Sequence, residues 1–264
     1  MQQFQGRLDV IGNNIANVNT SGFKGARVDF ADSFSQTMEF TGAGSAMQIG
    51  SGVNTSSITN EFGQGPITRT NLSSDVAISG EGFFVVRDPS APGSSEFYTR
   101  AGDFQLDKFG YLTTPNGYRV QGYSDAALTT MGDIQVDSTG ANPAASGYTS
   151  FAFDATGKLM VTPSTGSTFV RGQLLLQKFA NPQALTKQGS NLFSSSANAG
   201  ALATPTPPNT SGTGSIVGGA LETSNVDLAA QFADLITTQR AFQASARIIT
   251  TSDEILQELV NLKR

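Results

Sequence analysis

From Glu222 to Arg264 the chain runs without a single glycine or proline, although both are frequent upstream. Stepping from Leu228 by four and three meets Phe232, Leu235, Gln239, Phe242, Ala246, Ile249, Asp253, Leu256 and Val260. Apolar residues that recur about every 3.5 positions form a seam along one face of a helix. Ser224, followed three residues later by Asp227, reads as a capping box, with Asn225 as a rival N-cap. Lys263 and Arg264 stand where a helix C-terminus favours cations. A seam of this length needs something to cover it. A domain core is the plain answer and another long helix is the alternative.

The opening of the chain repeats the pattern. Phe4, Leu8, Ile11, Ile15 and Val18 step by four and three. The stripe stops at Thr20-Ser21-Gly22, where glycine supplies a left-handed C-cap, so a helix is expected over 1–22. Asn13, Asn14, Asn17 and Asn19 load this helix with amides that compete with the backbone and lower helix propensity. Such a load suggests that the amides meet partners in an assembly, the plain alternative being a solvated polar face. The two seams either pack on each other, bringing the termini together, or pack on other copies; the two solutions are compatible.

Composition narrows the chemistry. Among 264 residues there is no His, Cys or Trp, and the net charge is −5. Nucleic-acid binding wants a basic face, so nucleic acid is not expected as the partner. Without His or Cys the usual nucleophilic triads cannot form, and a zinc site would need carboxylates alone. Asp103, Asp107, Asp133 and Asp137 are scattered, with no calcium-loop spacing. No run of about 18 apolar residues crosses a membrane, and the chain opens without a charged-then-apolar leader. The expectation is a chain that is not an enzyme, with no catalytic, metal or cofactor residue. A glycosidase-like carboxylate pair, which meets only in space, is the residual alternative.

Between the helical ends the sequence is rich in Gly, Ser, Thr and Asn, as turn-rich β structure is. Residues 23–71 form a transition, of which 31–71 is the connecting region, and Phe23, Val28, Phe30 and Phe34 are spaced to continue a partly buried face. The run Asp75–Ile78, Gly80, Gly82, Phe83–Val86 reads as strand, glycine turn, strand; the G-x-G lacks the third glycine and the helix of a dinucleotide site. Pro115-Asn116-Gly117 between Tyr111-Leu112 and Tyr118–Tyr123 is a hairpin signal. Later strands are expected at Val161, Phe169-Val170 and Leu174–Leu176. Residues 194–221, with Pro205, Pro207 and Pro208, read as a linker back to the C-terminal helix, or as a long surface loop. The fold class expected is α+β: paired terminal helices of coiled-coil type (1–30 and 222–264) around a mainly-β outer domain at 72–193.

Ala16-Asn17-Val18-Asn19-Thr20-Ser21-Gly22-Phe23-Lys24 resembles the N-terminal signature A-N-x-x-T-x-G-F-K of the bacterial flagellar axial proteins, the rod, hook and hook-associated subunits. Leu221–Leu228 is similar to the family's second signature, and Gln239-Arg240-Ala241-Phe242-Gln243 to its third. The resemblance runs nearly end to end. Its members begin about ten residues earlier, so Met1 aligns with an internal position. Asp75 to Phe84, Tyr98 to Phe104 and Gln121-Gly122-Tyr123 look more like hook than distal rod members.

The resemblance implies a structural hook subunit of compact form, self-assembling into a curved tube that couples rod to filament and transmits torque for motility. The alternative is a distal rod subunit, and an adhesive or carbohydrate-active β protein is the reading from another class. It implies as partners other copies of the chain, distal rod, hook-cap and hook-filament junction proteins, and the flagellar export apparatus. It places the chain in the extracellular flagellum, exported without a cleaved leader. The residues expected at the assembly interface are Phe4, Leu8, Ile11, Asn13, Asn14, Ile15, Asn17 and Val18 at one end. At the other they are Leu228, Phe232, Leu235, Phe242, Ile249 and Leu256. Phe30-Ala31-Asp32-Ser33-Phe34 resembles the family's export-recognition element, though two Phe at i and i+4 also suit an ordinary helix face. Arg100, in the outer body, is expected to be dispensable for assembly.

Overall fold

The computed structural model describes residues 2–40, 46–90, 96–139, 147–164, 166–201 and 204–262. The chain divides into two compact units, one of Met1–Val18, Lys24–Glu61 and Val226–Arg264, the other of Asn19–Phe23 and Phe62–Asn225. It is a mixed α+β protein with a mainly-β body.

The first unit contains helix α1 (Gln2–Ala16) and strands β1 (Ala26–Asp32), β2 (Ser35–Phe40), β3 (Ala46–Gly50) and β4 (Val53–Asn60), closing with helix α2 (Leu228–Leu262). β1 pairs antiparallel with β4, and β2 with β3, so the chain runs out and back as a two-part ladder. The expected helical continuation through Phe30 and Phe34 is therefore a strand and the two residues beyond it, Ser33 and Phe34, which bond across to Gly52 and Ser51. Alternating Arg27, Val28, Asp29 and Phe30 suit a half-buried ribbon, and cross-strand bonds from Ser57 and Thr59 to Asp29 hold the polar face.

α1 ends at Ala16, six residues before Gly22, so Gly22 is not its C-cap. The Asn17 side chain instead donates back to the Asn13 carbonyl at 2.9 Å, supplying the terminal turn with a donor from an amide. α2 starts later than the capping-box reading placed it. Asp227 is the cap, its carboxylate accepting from the Ala229 and Ala230 amides at 2.8 and 3.3 Å. Met1, Lys263 and Arg264 lie outside the described residues.

The second unit holds the other strands. In chain order these are β5 (Ile67–Arg69), β6 (Val76–Ser79), β7 (Phe83–Arg87), β8 (Glu96–Thr99), β9 (Gln105–Leu106) and β10 (Leu112–Thr113). Then come β11 (Arg119–Tyr123), β12 (Met131–Asp133), β13 (Tyr148–Phe153), β14 (Lys158–Pro163) and β15 (Phe169–Leu174). The last are β16 (Leu176–Gln177), β17 (Thr186–Gly189), β18 (Leu192–Ser194), β19 (Ser215–Gly218) and β20 (Ala220–Glu222). An antiparallel sheet runs β13-β14-β15-β11-β7-β8-β18-β17, with the short strands β9, β10, β12 and β16 attached; β6 pairs with β19 and β5 with β20.

β7 explains the Phe-Phe-Val-Val run. Phe84 and Val86 enter one apolar cluster with Ile78, Leu112, Val120 and Leu174, while Phe83 and Val85 enter a second with Tyr98, Phe179 and Phe193. A strand buried on both faces reads as continuous apolar sequence rather than alternation. The strand, glycine turn, strand pattern is present as β6, Gly80 and Gly82 at positive φ, and β7; the two strands do not pair with each other, and β6 finds its partner in β19. The Pro115-Asn116-Gly117 hairpin does form, between β10 and β11, with Gly117 at φ 85°.

The segment expected as a linker, 194–221, is built into this unit. Thr206 exchanges backbone bonds with Leu176 at 2.8 and 2.9 Å, and β19 and β20 complete two ladders.

Candidate assembly surface

Asn14 organises the contact of α1 with the rest of its unit. Its side chain is buried and donates to the Ala26 carbonyl at 2.8 Å and to Gln231 Oε1 at 3.1 Å; its Oδ1 accepts the Ala26 amide at 3.0 Å. The amide thus acts as a neighbouring strand toward the first residue of β1, which accounts for an asparagine in mid-helix. Half a helix away Arg7 donates to Asp234 at 3.0 Å. As residue number rises from Arg7 to Asn14 it falls from Asp234 to Gln231, so the two helices run in opposite directions where they touch.

On α2, Gln231 and Asp234 accept the hydrogen bonds from α1, and Thr238, on the same stripe, is buried. The seam residues Leu235, Phe242 and Ala246 lie beside them on the covered side of the helix. Leu235 and Phe242 are half-buried, Leu228 and Phe232 are exposed, and Ile249 and Leu256 are 52 % and 59 % exposed. At 1.5 Å per residue, the 35 residues of α2 extend about 52 Å. Over residues 247–262 every side chain is exposed, including Ile248, Ile255, Leu259 and Val260. A helix end this apolar and this bare presents a contact surface rather than a finished one.

On α1, Ile11 is buried; Phe4, Leu8, Ile15, Asn17 and Val18 are half-buried; Asn13 is exposed. The Phe4 ring meets Phe30 edge-to-face at 6.3 Å between centroids. Phe34, paired with Phe30 in the export reading, is 89 % exposed and shares no helix face with it.

The signature motifs place residues that sequence reasoning did not single out. Glu222 is buried and paired with buried Arg100 at 3.3 Å, and also accepts the Gly65 amide at 2.8 Å. Burial pulls the Arg100 pKa down, and the Glu222 carboxylate opposes that shift. Arg100 also donates to the Gly80 carbonyl at 2.9 Å, which helps fix the turn that sends β6 away from β7. The Glu222 carbonyl accepts the Gly22 amide at 2.8 Å. Gly22 sits at φ +67°, and a methyl group there would lie 2.4 Å from the Ala101 nitrogen. The glycine of T-x-G-F-K and the glutamate of the second signature therefore form one node. Their spacing in sequence, 200 positions, hid it.

Among the described residues no three carboxylates gather where they could hold a metal ion, and no helix is long and apolar enough to cross a membrane. What these residues offer is contact surface.

Family models match the chain in three places. These are a flagella basal body rod protein model over residues 1–24, a flagellar hook protein FlgE/F/G D1 domain over 77–161, and a flagellar basal body rod FlgEFG protein C-terminal model over 217–262. The flagellar basal-body rod protein FlgG of Bacillus subtilis is 41% identical over 271 residues, spanning 100% of this chain and 96% of the relative. That of Agrobacterium fabrum is 37% identical, over 97% and 93%. The flagellar hook protein FlgE of Borreliella burgdorferi is 27% identical over 435 residues, spanning 100% and 97%. The chain belongs to the flagellar rod and hook protein family. It is thus a structural component of the flagellum and its basal body, working in motility through polymeric assembly with other flagellar proteins rather than as an enzyme.

Proposed function

We propose that the chain is a distal rod subunit of the flagellar basal body, assembling with its own copies into a straight shaft. The observation that carries this is length. The rod relatives match from end to end with little insertion, whereas alignment to the hook relative stretches to 435 positions for a chain of 264. The hook relative carries a large insertion that this chain lacks. The segments that looked hook-like fall largely in a D1 domain shared by hook and rod members, so they do not discriminate.

In this reading residues 1–30 and 222–264 form the inner wall. The apolar seam of α2, bare in the isolated chain, is covered by terminal helices of neighbouring copies in coiled-coil fashion, from Leu228 and Phe232 to Ile249 and Leu256. Phe4, Leu8, Ile11, Ile15 and Val18 of α1, with Asn13, Asn14 and Asn17, belong to the same layer. The chain leaves the cell through the flagellar export apparatus, and the extended Phe30–Phe34 segment is the element read there. Electron microscopy of polymers grown from the purified protein tests the assignment. Straight tubes support the rod; curved ones restore the hook reading.

A further inference from the structure

Among the described residues, Asp103 is the charged one that lines a cavity of about 230 Å³ in the second unit. Hydroxyls and amides make up much of the remaining wall. Ser21 comes from the N-terminal signature, Asn116 from the β10–β11 turn, and Ser190 and Asn191 from the β17–β18 turn. Asp103 is half-buried, and among the described residues it forms no ion pair and no hydrogen bond to another side chain. Across an antiparallel bridge it faces Asp75, and residues directly opposite on such a bridge put their side chains on the same side. Asp75 is buried, its carboxylate accepting from the Thr70 hydroxyl. Burial first, and the Asp75 charge with it, raise the Asp103 pKa above the ordinary carboxylate value, against the pull of its own amide. Negative charge therefore gathers at this cavity without a cation among its lining residues.

The walls are fixed before a ligand arrives. The Asn191 side chain donates to the Ser21 carbonyl at 2.9 Å, and the Thr99 hydroxyl donates to the Asn191 carbonyl at 2.9 Å. Ser190 and Asn191 stand at φ 52° and 57°, the left-handed pair of a tight hairpin turn. In the other turn the Gly117 amide donates to the Thr114 carbonyl at 2.9 Å. The side chains of Ser21, Asn116 and Ser190, by contrast, hold no hydrogen bond among the described residues, so their oxygens are available as acceptors. A ligand here meets one charged acceptor and several neutral ones already in place, so little ordering is lost on binding.

Such a set of acceptors suits a cation that carries several N–H donors. A guanidinium has five in a fixed plane and no acceptor to leave unmatched. We propose that this cavity binds a guanidinium group, with Asp103 answering its charge and the oxygens of Ser21, Asn116 and Ser190 taking its other donors. The site stands apart from the rod assignment and from the α2 seam. A free guanidine compound and an arginine side chain of another chain share this chemistry.

The test is a titration of the soluble full chain with methylguanidinium chloride, followed by NMR. The side-chain amides of Asn116 and Asn191 should shift saturably. Tetramethylammonium chloride, a cation without N–H donors, should leave them unmoved at the same ionic strength. Asp103→Asn keeps the shape and removes the charge, and should weaken methylguanidinium binding about tenfold or more. The comparison of the two salts on the wild-type chain decides the matter whether or not the variant folds. No saturable shift, equal shifts with both salts, or unchanged affinity in a folded Asp103→Asn chain overturns the site. Calcium chloride moving the same amides at a lower concentration overturns it in favour of a metal ion. Assembled protein then separates the sources, both of which support the site. Polymers that no longer take up the probe assign it to an arginine of another copy; polymers that still take it up assign it to a free compound.

Discussion

Arg100 and Glu222, 122 positions apart, form an ion pair whose side chains are 5 % and 0 % exposed. Arg100 is expected to be dispensable for assembly; its burial gives it a part in the stability of the β body instead. Removing one partner of a buried pair strands the other charge without water, at about 3–5 kcal/mol. Arg100→Met should lower the urea midpoint of the β body accordingly. Arg100→Met with Glu222→Gln should recover much of the loss, because no bare charge remains. A single variant as stable as wild type would show that the pair carries no weight.

Gly22→Ala meets two obstacles. The left-handed backbone costs a residue with Cβ about 1–2 kcal/mol, and the added methyl collides with the Ala101 backbone. The bond from the Gly22 amide to the Glu222 carbonyl should open, and amide exchange at Gly22 should accelerate strongly. Unchanged protection at Gly22 would rule this out.

Ile249→Asp with Leu256→Asp should separate folding from assembly. Both side chains are more than half exposed in the single chain, so thermal stability of the soluble protein should move little. In the polymer each carboxylate would lie in an apolar seam, costing several kcal/mol per copy, and tubes should fail to form at any accessible concentration. Sedimentation and microscopy read this out. Tubes from the double variant would mean the seam is not an interface.

Asp125 closes a loop on itself. Its carboxylate accepts from the Thr129 hydroxyl at 2.7 Å and from the Thr129 and Thr130 amides at 2.9 and 3.1 Å. These bonds, the Thr129 hydroxyl first, pull its pKa from 3.8 down to about 2. A depressed carboxylate holds its loop fully above the unfolded value and loses it as pH falls through the folded one. The Thr129 and Thr130 amide resonances should therefore stay fixed down to about pH 4 and move between there and pH 2. Movement centred well above pH 4 would contradict the geometry.

How much of this was legible in the sequence depended on the range of the interaction. The two helices, the strand at Phe83–Val86 and the Pro115–Gly117 hairpin are local patterns, and the residues declare them. The partner of β6 could not be read, because it lies far on in β19, where Ile216 pairs with Ile78, 138 positions away. The helix that carries the α2 seam is legible because its periodicity is local; the hydrogen bonds that tie α1 to Gln231 and Asp234 are not, because no hydrophobic count selects polar residues. Asn14 was singled out as an amide needing a partner, and it has one in Ala26; Asn13, with the same argument behind it, is exposed to solvent.

The polar bonds between α1 and α2 have a mechanical consequence. The charged one, Arg7 with Asp234, is partly exposed on both sides and worth about 0–1 kcal/mol. One amide bond from Asn14 to Gln231 adds a similar amount. Bonds this weak work as an index mark, fixing where one helix stands along the other, and leave the grip to the burial of apolar side chains.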